Sequence, residues 1–149
     1  GEYRDGAIYI TKQIATEKDL VENIVHELSH SIESKFGHFI YGDMLLHSEF
    51  TGKRRRLKAI LEAEGWELEH NFLDTEYDEE FDSFLYKDIG YIKLDAYISG
   101  LFVSPYAVTS LQEYWAVGFE DYFIGDREYV RKLSPQLFNK IEGVLYYDN

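Results

Sequence analysis

The 149-residue chain contains no cysteine, and this absence excludes several kinds of site. Without a thiol there is no disulfide, no thiolate metal ligand and no cysteine nucleophile. The chain also has only 2 prolines, and it has no apolar run near the roughly 18 residues that a membrane-spanning helix needs. We therefore expect a domain without a membrane span, whose metal ligands would be histidines and carboxylates.

Basic side chains are also few, because 15 Lys and Arg stand against 28 Asp and Glu, for a formal net charge of −13. Such a charge disfavours nucleic acid and anionic membrane surfaces as partners and mildly favours cationic substrates. A hydrophobic content of 45%, with 17% aromatic residues, is typical of a folded chain. We predict one domain over 1–149, excised or processed from a longer protein.

One short motif dominates what is present, the HExxH pattern that runs from His26 through Glu27 to His30. Residues four apart share one face of a helix, so the two imidazoles would point at the same place. This spacing suits a zinc ion at about 2.0–2.1 Å from each ring nitrogen. Glu27 would flank the metal and hold a water without being a ligand. The alternative is a solvated helix face that carries two histidines.

Apolar periodicity and capping residues predict the elements around this motif. Thr16 as N-cap and Gly37 as the stop predict a helix over about 17–36. The apolar side of that helix would consist of Leu20, Ile24, Val25, Leu28 and Ile32. We predict a short strand at 6–10 and further helices at about 53–64, 79–88, 111–124 and 135–146. The basic run 53–56 is expected to be a solvated helix face rather than a phosphate site.

A catalytic zinc takes three protein ligands and leaves a position for water, so two histidines do not complete the site. The remaining histidines His38, His47 and His70 are better interpreted as surface or packing residues. Glu49 has the spacing of a thermolysin-like third ligand but lacks the expected neighbouring residues.

Glu113 is the stronger carboxylate, because it lies near the start of an apolar helix, where a buried charge needs a partner or a metal. It is equally compatible with a capping box closed with Ser110. Spacing alone leaves both interpretations open.

The segment 104–119 resembles the C-terminal signature of the anthrax lethal factor-like metallopeptidases, a group that includes the Pro-Pro endopeptidases. That signature has a tyrosine, six intervening residues, a glutamate, two aromatic residues and a small residue, followed by a phenylalanine. The matching residues are Tyr106, Glu113, Tyr114, Trp115, Ala116 and Phe119. The segment follows the HExxH helix, which is the order found in the family.

The resemblance implies a zincin-like α+β fold, mainly helical, with a small edge strand or sheet and a second helix that carries the glutamate ligand. It implies a zinc endopeptidase that acts on a protein or peptide. We expect the protein to be secreted, related to toxins and monomeric. In this scheme His26, His30 and Glu113 bind zinc, Glu27 is the general base, and the Tyr106 hydroxyl faces the developing oxyanion. A catalytically silent domain that docks a partner is the alternative, and a metal-dependent hydrolase of another substrate is a weaker one.

The chain departs from the family pattern in two ways. The gap between His30 and Glu113 is longer than the family's, so an insertion is expected within 38–90. The family's second glutamate, four residues after the ligand, is Val117 here. Glu120, seven residues after Glu113 and on the same helix face, is a candidate acceptor for a ligand histidine.

Overall fold

The computed structural model describes residues 17–146, and 76% of them are helical. No strand occurs within this range, so the predicted α+β class, with its small edge sheet, is wrong for the described chain, which is all-helical. The sheet prediction depended on the alternating apolar residues at 6–10, which lie outside the described residues, and on the family resemblance. Apolar residues in the described part recur instead with the period of a helix.

The described chain forms seven α-helices, with a π-helical segment after the third and a 3₁₀-helix before the fifth. In chain order they are α1 (Glu17–Tyr41), α2 (Leu45–Ala63), α3 (Glu79–Ser83), the π-helix (Phe84–Gly90), α4 (Tyr91–Tyr97), the 3₁₀-helix (Pro105–Val108), α5 (Leu111–Ile124), α6 (Arg127–Leu133) and α7 (Pro135–Leu145). The predicted bounds of α5 are confirmed. α2 begins eight residues earlier than predicted, and α4 and α6 were not predicted as helices.

The prediction that the HExxH helix α1 ends at Gly37 is wrong. The helix kinks at Phe36, where φ is −113° and ψ is 22°, and then continues to Tyr41. The glycine that ends it is Gly42, whose N–H bonds to the carbonyl of His38 at 2.7 Å. A Cβ on Gly42 would lie 2.4 Å from that carbonyl oxygen, so the close approach requires glycine.

Helix α5 is the centre of the fold, and α1 and the 3₁₀-helix pack against it most extensively. It is apolar nearly all round, as expected for a helix surrounded by others, and its buried residues are Tyr114, Trp115, Ala116, Gly118, Phe119 and Tyr122. A Cβ on Gly118 would lie 2.2 Å from the Leu137 side chain, so this glycine lets α7 approach closely. The helix that carries Glu113 is therefore packed against α1, the 3₁₀-helix and α7.

The apolar side predicted for α1 is only partly buried. Val25 and Ile32 pack against the core, whereas Leu20, Ile24 and Leu28 are 44%, 59% and 45% exposed. These three residues form a stripe along the first turns of the helix. No helix within 17–146 has the length and apolar character needed to cross a membrane.

Neither interpretation of the basic run 53–56 describes its first two residues, because Lys53 and Arg54 are buried. The Arg54 guanidinium donates to the carbonyls of Phe72, Val108 and Thr109 at 2.9, 2.7 and 3.1 Å. Burial of this cation lowers the pKa of Arg54 to about 10. Through these hydrogen bonds Arg54 connects α2 to the irregular segment 64–78 and to the end of the 3₁₀-helix.

Candidate metal centre

The two histidines of the motif meet on the face of α1 that packs against α5. Their ring centroids are 4.8 Å apart at an interplanar angle of 88°, and the two Nε2 atoms are 3.2 Å apart. Two nitrogen ligands on one tetrahedral zinc, at about 2.0–2.1 Å each, are separated by about 3.3 Å. The helical spacing alone therefore brings both Nε2 atoms to a distance at which they can share a metal.

Glu113, in the first turn of α5, places a third potential ligand beside the two histidines. Its Oε2 lies 4.0 Å from His30 Nε2, and one ligand atom from each of His26, His30 and Glu113 lies within 4.8 Å of the others. The Ser110 hydroxyl accepts the Glu113 backbone N–H at 3.1 Å, so Ser110 is an N-cap. The Glu113 carboxylate, however, faces the histidines.

The electrostatics of Glu113 fit a cation at this position. Burial raises the pKa of the Glu113 carboxyl, and the two neighbouring histidines act in the opposite direction. Its Oε1 is buried without a hydrogen-bond partner, which is costly for a carboxylate unless a cation compensates. The His26, His30 and Glu113 group can therefore hold a metal ion, and within residues 17–146 it is the only such group of three or more side chains.

The other proposed carboxylate ligand, Glu49, has a structural role elsewhere. Its Oε1 accepts the Tyr114 hydroxyl at 2.8 Å, and its Oε2 accepts the Gln136 N–H at 2.8 Å. Glu49 therefore caps the N-terminus of α7, where a carboxylate also suits the helix dipole. His70 packs between Phe81 and Phe84, with ring centroids 5.7 and 5.1 Å away, in keeping with the interpretation of this histidine as a surface or packing residue.

The two residues proposed for the reaction itself lie at the surface near this group. Glu27 is exposed on α1, directly after His26. Tyr106, in the 3₁₀-helix that leads into α5, is 40% exposed. Partial burial raises the pKa of the Tyr106 hydroxyl, and the charges of Glu113 and Asp82 raise it further. The phenol thus lies within the field of Glu113 and stays protonated at neutral pH, ready to donate a hydrogen bond.

Two further carboxylates contact the histidines, and only one was a candidate from the sequence. Glu120 Oε2 lies 2.7 Å from His26 Nδ1, as its position on α5 suggested. Glu33 Oε1 lies 3.7 Å from His30 Nδ1, and the sequence reasoning missed it. Its position three residues after His30 was the available signal, because residues at that spacing are neighbours on a helix.

Two cavities adjoin the centre and share Tyr77 as a wall. One, of about 300 Å³, is lined by Glu33 and Gln112 beside the ligands and by residues of the segment 64–78. The other, of about 390 Å³, has Tyr106 in its wall, together with Tyr77, Glu79, Asp82, Ser83, Tyr86, Lys87 and Tyr91. Acidic and aromatic residues within 75–82 therefore line the surface near the metal-binding group.

Comparison of the chain with protein-family models, with curated proteins and with solved structures found no match. The resemblance to the lethal factor-like metallopeptidases therefore stays a prediction based on the two motifs.

Proposed function

We propose that this chain is a zinc-dependent endopeptidase related to the lethal factor-like metallopeptidases. The observation that carries the proposal is the triad itself, with two Nε2 atoms 3.2 Å apart and the Glu113 carboxylate within reach of both. Two imidazoles and one carboxylate are the ligand set of catalytic zinc in the HExxH peptidases that use a distant glutamate. Calcium and magnesium prefer sites made of oxygen ligands alone.

A zinc ion bound by His26, His30 and Glu113 would supply Lewis acidity and lower the pKa of water to about 7. In the proposed reaction Glu27 accepts the proton of the water that attacks the peptide carbonyl, and then delivers it to the leaving amine. The Tyr106 hydroxyl donates a hydrogen bond to the oxygen on which negative charge develops. Exposure of both side chains leaves them accessible to a substrate.

The surroundings of the centre favour a peptide as substrate. The two cavities that share Tyr77 leave room for a peptide beside Glu33, Gln112 and Tyr106. Glu33, Glu76, Glu79 and Asp82 contribute carboxylates to these walls, which favours basic residues in the substrate. From the family resemblance we also propose that the protein is secreted and related to toxins.

The proposal is tested first at the third ligand. Glu113→Gln is expected to reduce zinc affinity by about 100-fold or more, because it removes the anionic ligand of the triad. Competition against a chromogenic chelator measures this. Glu49→Gln is the matched control, with the same chemical change at a carboxylate that caps α7. A zinc affinity that falls in the Glu49 variant and not in the Glu113 variant would contradict the assignment.

Tyr106→Phe is expected to lower kcat by about 10²–10³, the usual cost of removing one donor to an oxyanion. Zinc affinity should stay unchanged, because the phenol is not a ligand. Cleavage of a mixed peptide library, with zinc content measured in parallel, checks both expectations. Tyr86→Phe, in the same cavity, is the control. Full activity in the Tyr106 variant would make Tyr106 a packing residue.

A second candidate function, a catalytically silent domain that docks a partner protein, is favoured by the exposed stripe of Leu20, Ile24 and Leu28. Contiguous exposed apolar side chains of this kind often mark interaction sites. That function needs neither zinc nor Glu27. Partner binding that persists in Glu27→Gln and in chelator, in a protein that cleaves no peptide, would favour it over the peptidase.

A further inference from the structure

Each imidazole of the metal-binding group has a carboxylate next to its Nδ1 atom. Glu120 Oε2 accepts from His26 Nδ1 at 2.7 Å, and Glu33 Oε1 stands 3.7 Å from His30 Nδ1. The Nε2 atoms face each other at 3.2 Å. The ring atoms that would bind the metal are thus separated from the ring atoms that face the carboxylates.

We propose that Glu120 and Glu33 are positioning residues. Glu120 holds the His26 proton on Nδ1 in the metal-free protein, and Glu33 would accept the His30 proton at Nδ1 once a metal occupies Nε2, so that both Nε2 atoms face the metal. That the bound ion is zinc rests on the proposed function as a zinc endopeptidase. The ring orientations themselves are properties of the protein and can be measured without zinc.

Glu120 acts on His26 before any metal binds. A hydrogen bond of 2.7 Å to a carboxylate holds the ring proton on Nδ1 and leaves the Nε2 lone pair free. Glu120 lies on α5, the helix that also carries Glu113, so one rigid helix supplies the third ligand and the orientation of the first. Val117, at the position of the second glutamate in the family pattern, is apolar and cannot accept the proton of His26 Nδ1. Glu120, three residues later on the same helix, accepts it instead.

Glu33 acts on His30 in a second step. With the His26 proton on Nδ1, the contact of 3.2 Å between the Nε2 atoms is a hydrogen bond in the metal-free protein only if His30 donates from Nε2. A neutral imidazole has one proton, so His30 Nδ1 then has none to donate, and Glu33 stands beyond hydrogen-bond distance at 3.7 Å. With a metal bound at both Nε2 atoms, His30 would carry its proton on Nδ1, where Glu33 is the nearby acceptor.

The Glu33 carboxylate is well placed to receive that proton because it is held from two sides. It is 8% exposed, and it accepts the Tyr41 hydroxyl at 2.5 Å and the Gln112 amide at 3.0 Å. Gln112 directly precedes Glu113, so Glu33 links His30 to the helix that carries the third ligand. Together, Glu33 and Glu120 connect α1 to α5 at both histidines.

Nitrogen-15 NMR of the histidine rings, combined with zinc titration, tests the proposal in Glu120→Gln and Glu33→Gln. In the metal-free wild type we expect the His26 proton on Nδ1 and the His30 proton on Nε2. Zinc should move the His30 proton to Nδ1. Glu120→Gln should disturb the metal-free tautomer of His26 and, through the Nε2 contact, that of His30, whereas Glu33→Gln should change only the zinc-bound state of His30. Each variant should lower zinc affinity by about 10–100-fold.

Glu22→Gln is the matched control, because it removes one charge from the cavity that Glu120 also lines. Glu120 is partly exposed, so its variant should fold even if the Glu33 variant is unstable. A His26 proton found on Nε2 in the wild type, or variants that match Glu22→Gln in both tautomer and affinity, would overturn the proposal. If the wild type binds no zinc but Glu120→Gln still changes the His26 tautomer, the positioning role holds and the zinc peptidase fails.

Discussion

Glu27→Gln is expected to abolish detectable peptide cleavage while zinc affinity and fold stay as in the wild type. Glutamine cannot accept the proton of the attacking water, and a positioned general base contributes up to about 10⁴ in rate. Glu27 is exposed, so its replacement leaves no buried group unpaired and should change stability by less than about 0.5 kcal/mol. Turnover of a mixed peptide library, thermal unfolding and zinc titration measure the three quantities.

The control for this prediction lies on the same helix. Glu22→Gln makes the same chemical change five residues earlier, at a residue that pairs with Lys18 at 3.9 Å, and it should retain wild-type turnover. A Glu27 variant that keeps a tenth of wild-type activity with full zinc content would remove Glu27 from the role of base. Cleavage that persists in chelator would instead point to a contaminating peptidase.

The part of the centre that the sequence could predict is the part that helix geometry determines. A spacing of four residues brings His26 and His30 to one helix face in any α-helix, and the structure brings their Nε2 atoms to 3.2 Å. The Ser110 N-cap and the apolar run after it similarly determined the bounds of α5. Both predictions needed only local physics.

Long-range pairing could not be predicted from spacing alone. Glu49 and Glu113 were both reasonable third ligands, and the choice depends on tertiary packing. α1 packs on α5, whereas Glu49 lies on α2 beside the start of α7, where its oxygens cap that helix. The family resemblance favoured Glu113, whose carboxylate, unlike that of Glu49, lies within 4.8 Å of a ring nitrogen of both histidines.

Two errors have a common physical origin, which is that composition does not reveal burial. The basic run 53–56 reads as a solvated face, yet Lys53 and Arg54 are buried because backbone carbonyls accept their hydrogen bonds. The stripe of Leu20, Ile24 and Leu28 reads as buried, yet these side chains are exposed in the described structure. The carbonyls that bind Lys53 and Arg54 come from distant parts of the chain, which composition does not reveal.

Arg54→Met is expected to lower the free energy of unfolding by about 3–5 kcal/mol, a large part of the roughly 5–15 kcal/mol typical of a domain. Methionine keeps apolar contact with Phe50 and Phe81, whose ring centroids lie 4.8 and 4.4 Å from the guanidinium carbon. It leaves three carbonyls without their donor, at about 1–3 kcal/mol each. Relief of the buried charge offsets part of that cost. Urea unfolding measures the difference.

The neighbouring exposed arginine provides the control, because Arg55→Met removes the same charge and should change stability by less than about 0.5 kcal/mol. Equal stability of the two variants would show that the three hydrogen bonds contribute nothing net. Arg54 also holds the carbonyls of Val108 and Thr109, at the end of the 3₁₀-helix that carries Tyr106. In the proposed peptidase, the folded Arg54→Met variant should therefore show a larger fall in kcat than in zinc affinity. The 3₁₀-helix that carries the oxyanion donor Tyr106 loses its hydrogen bonds to Arg54, whereas none of the three metal ligands loses a contact with Arg54.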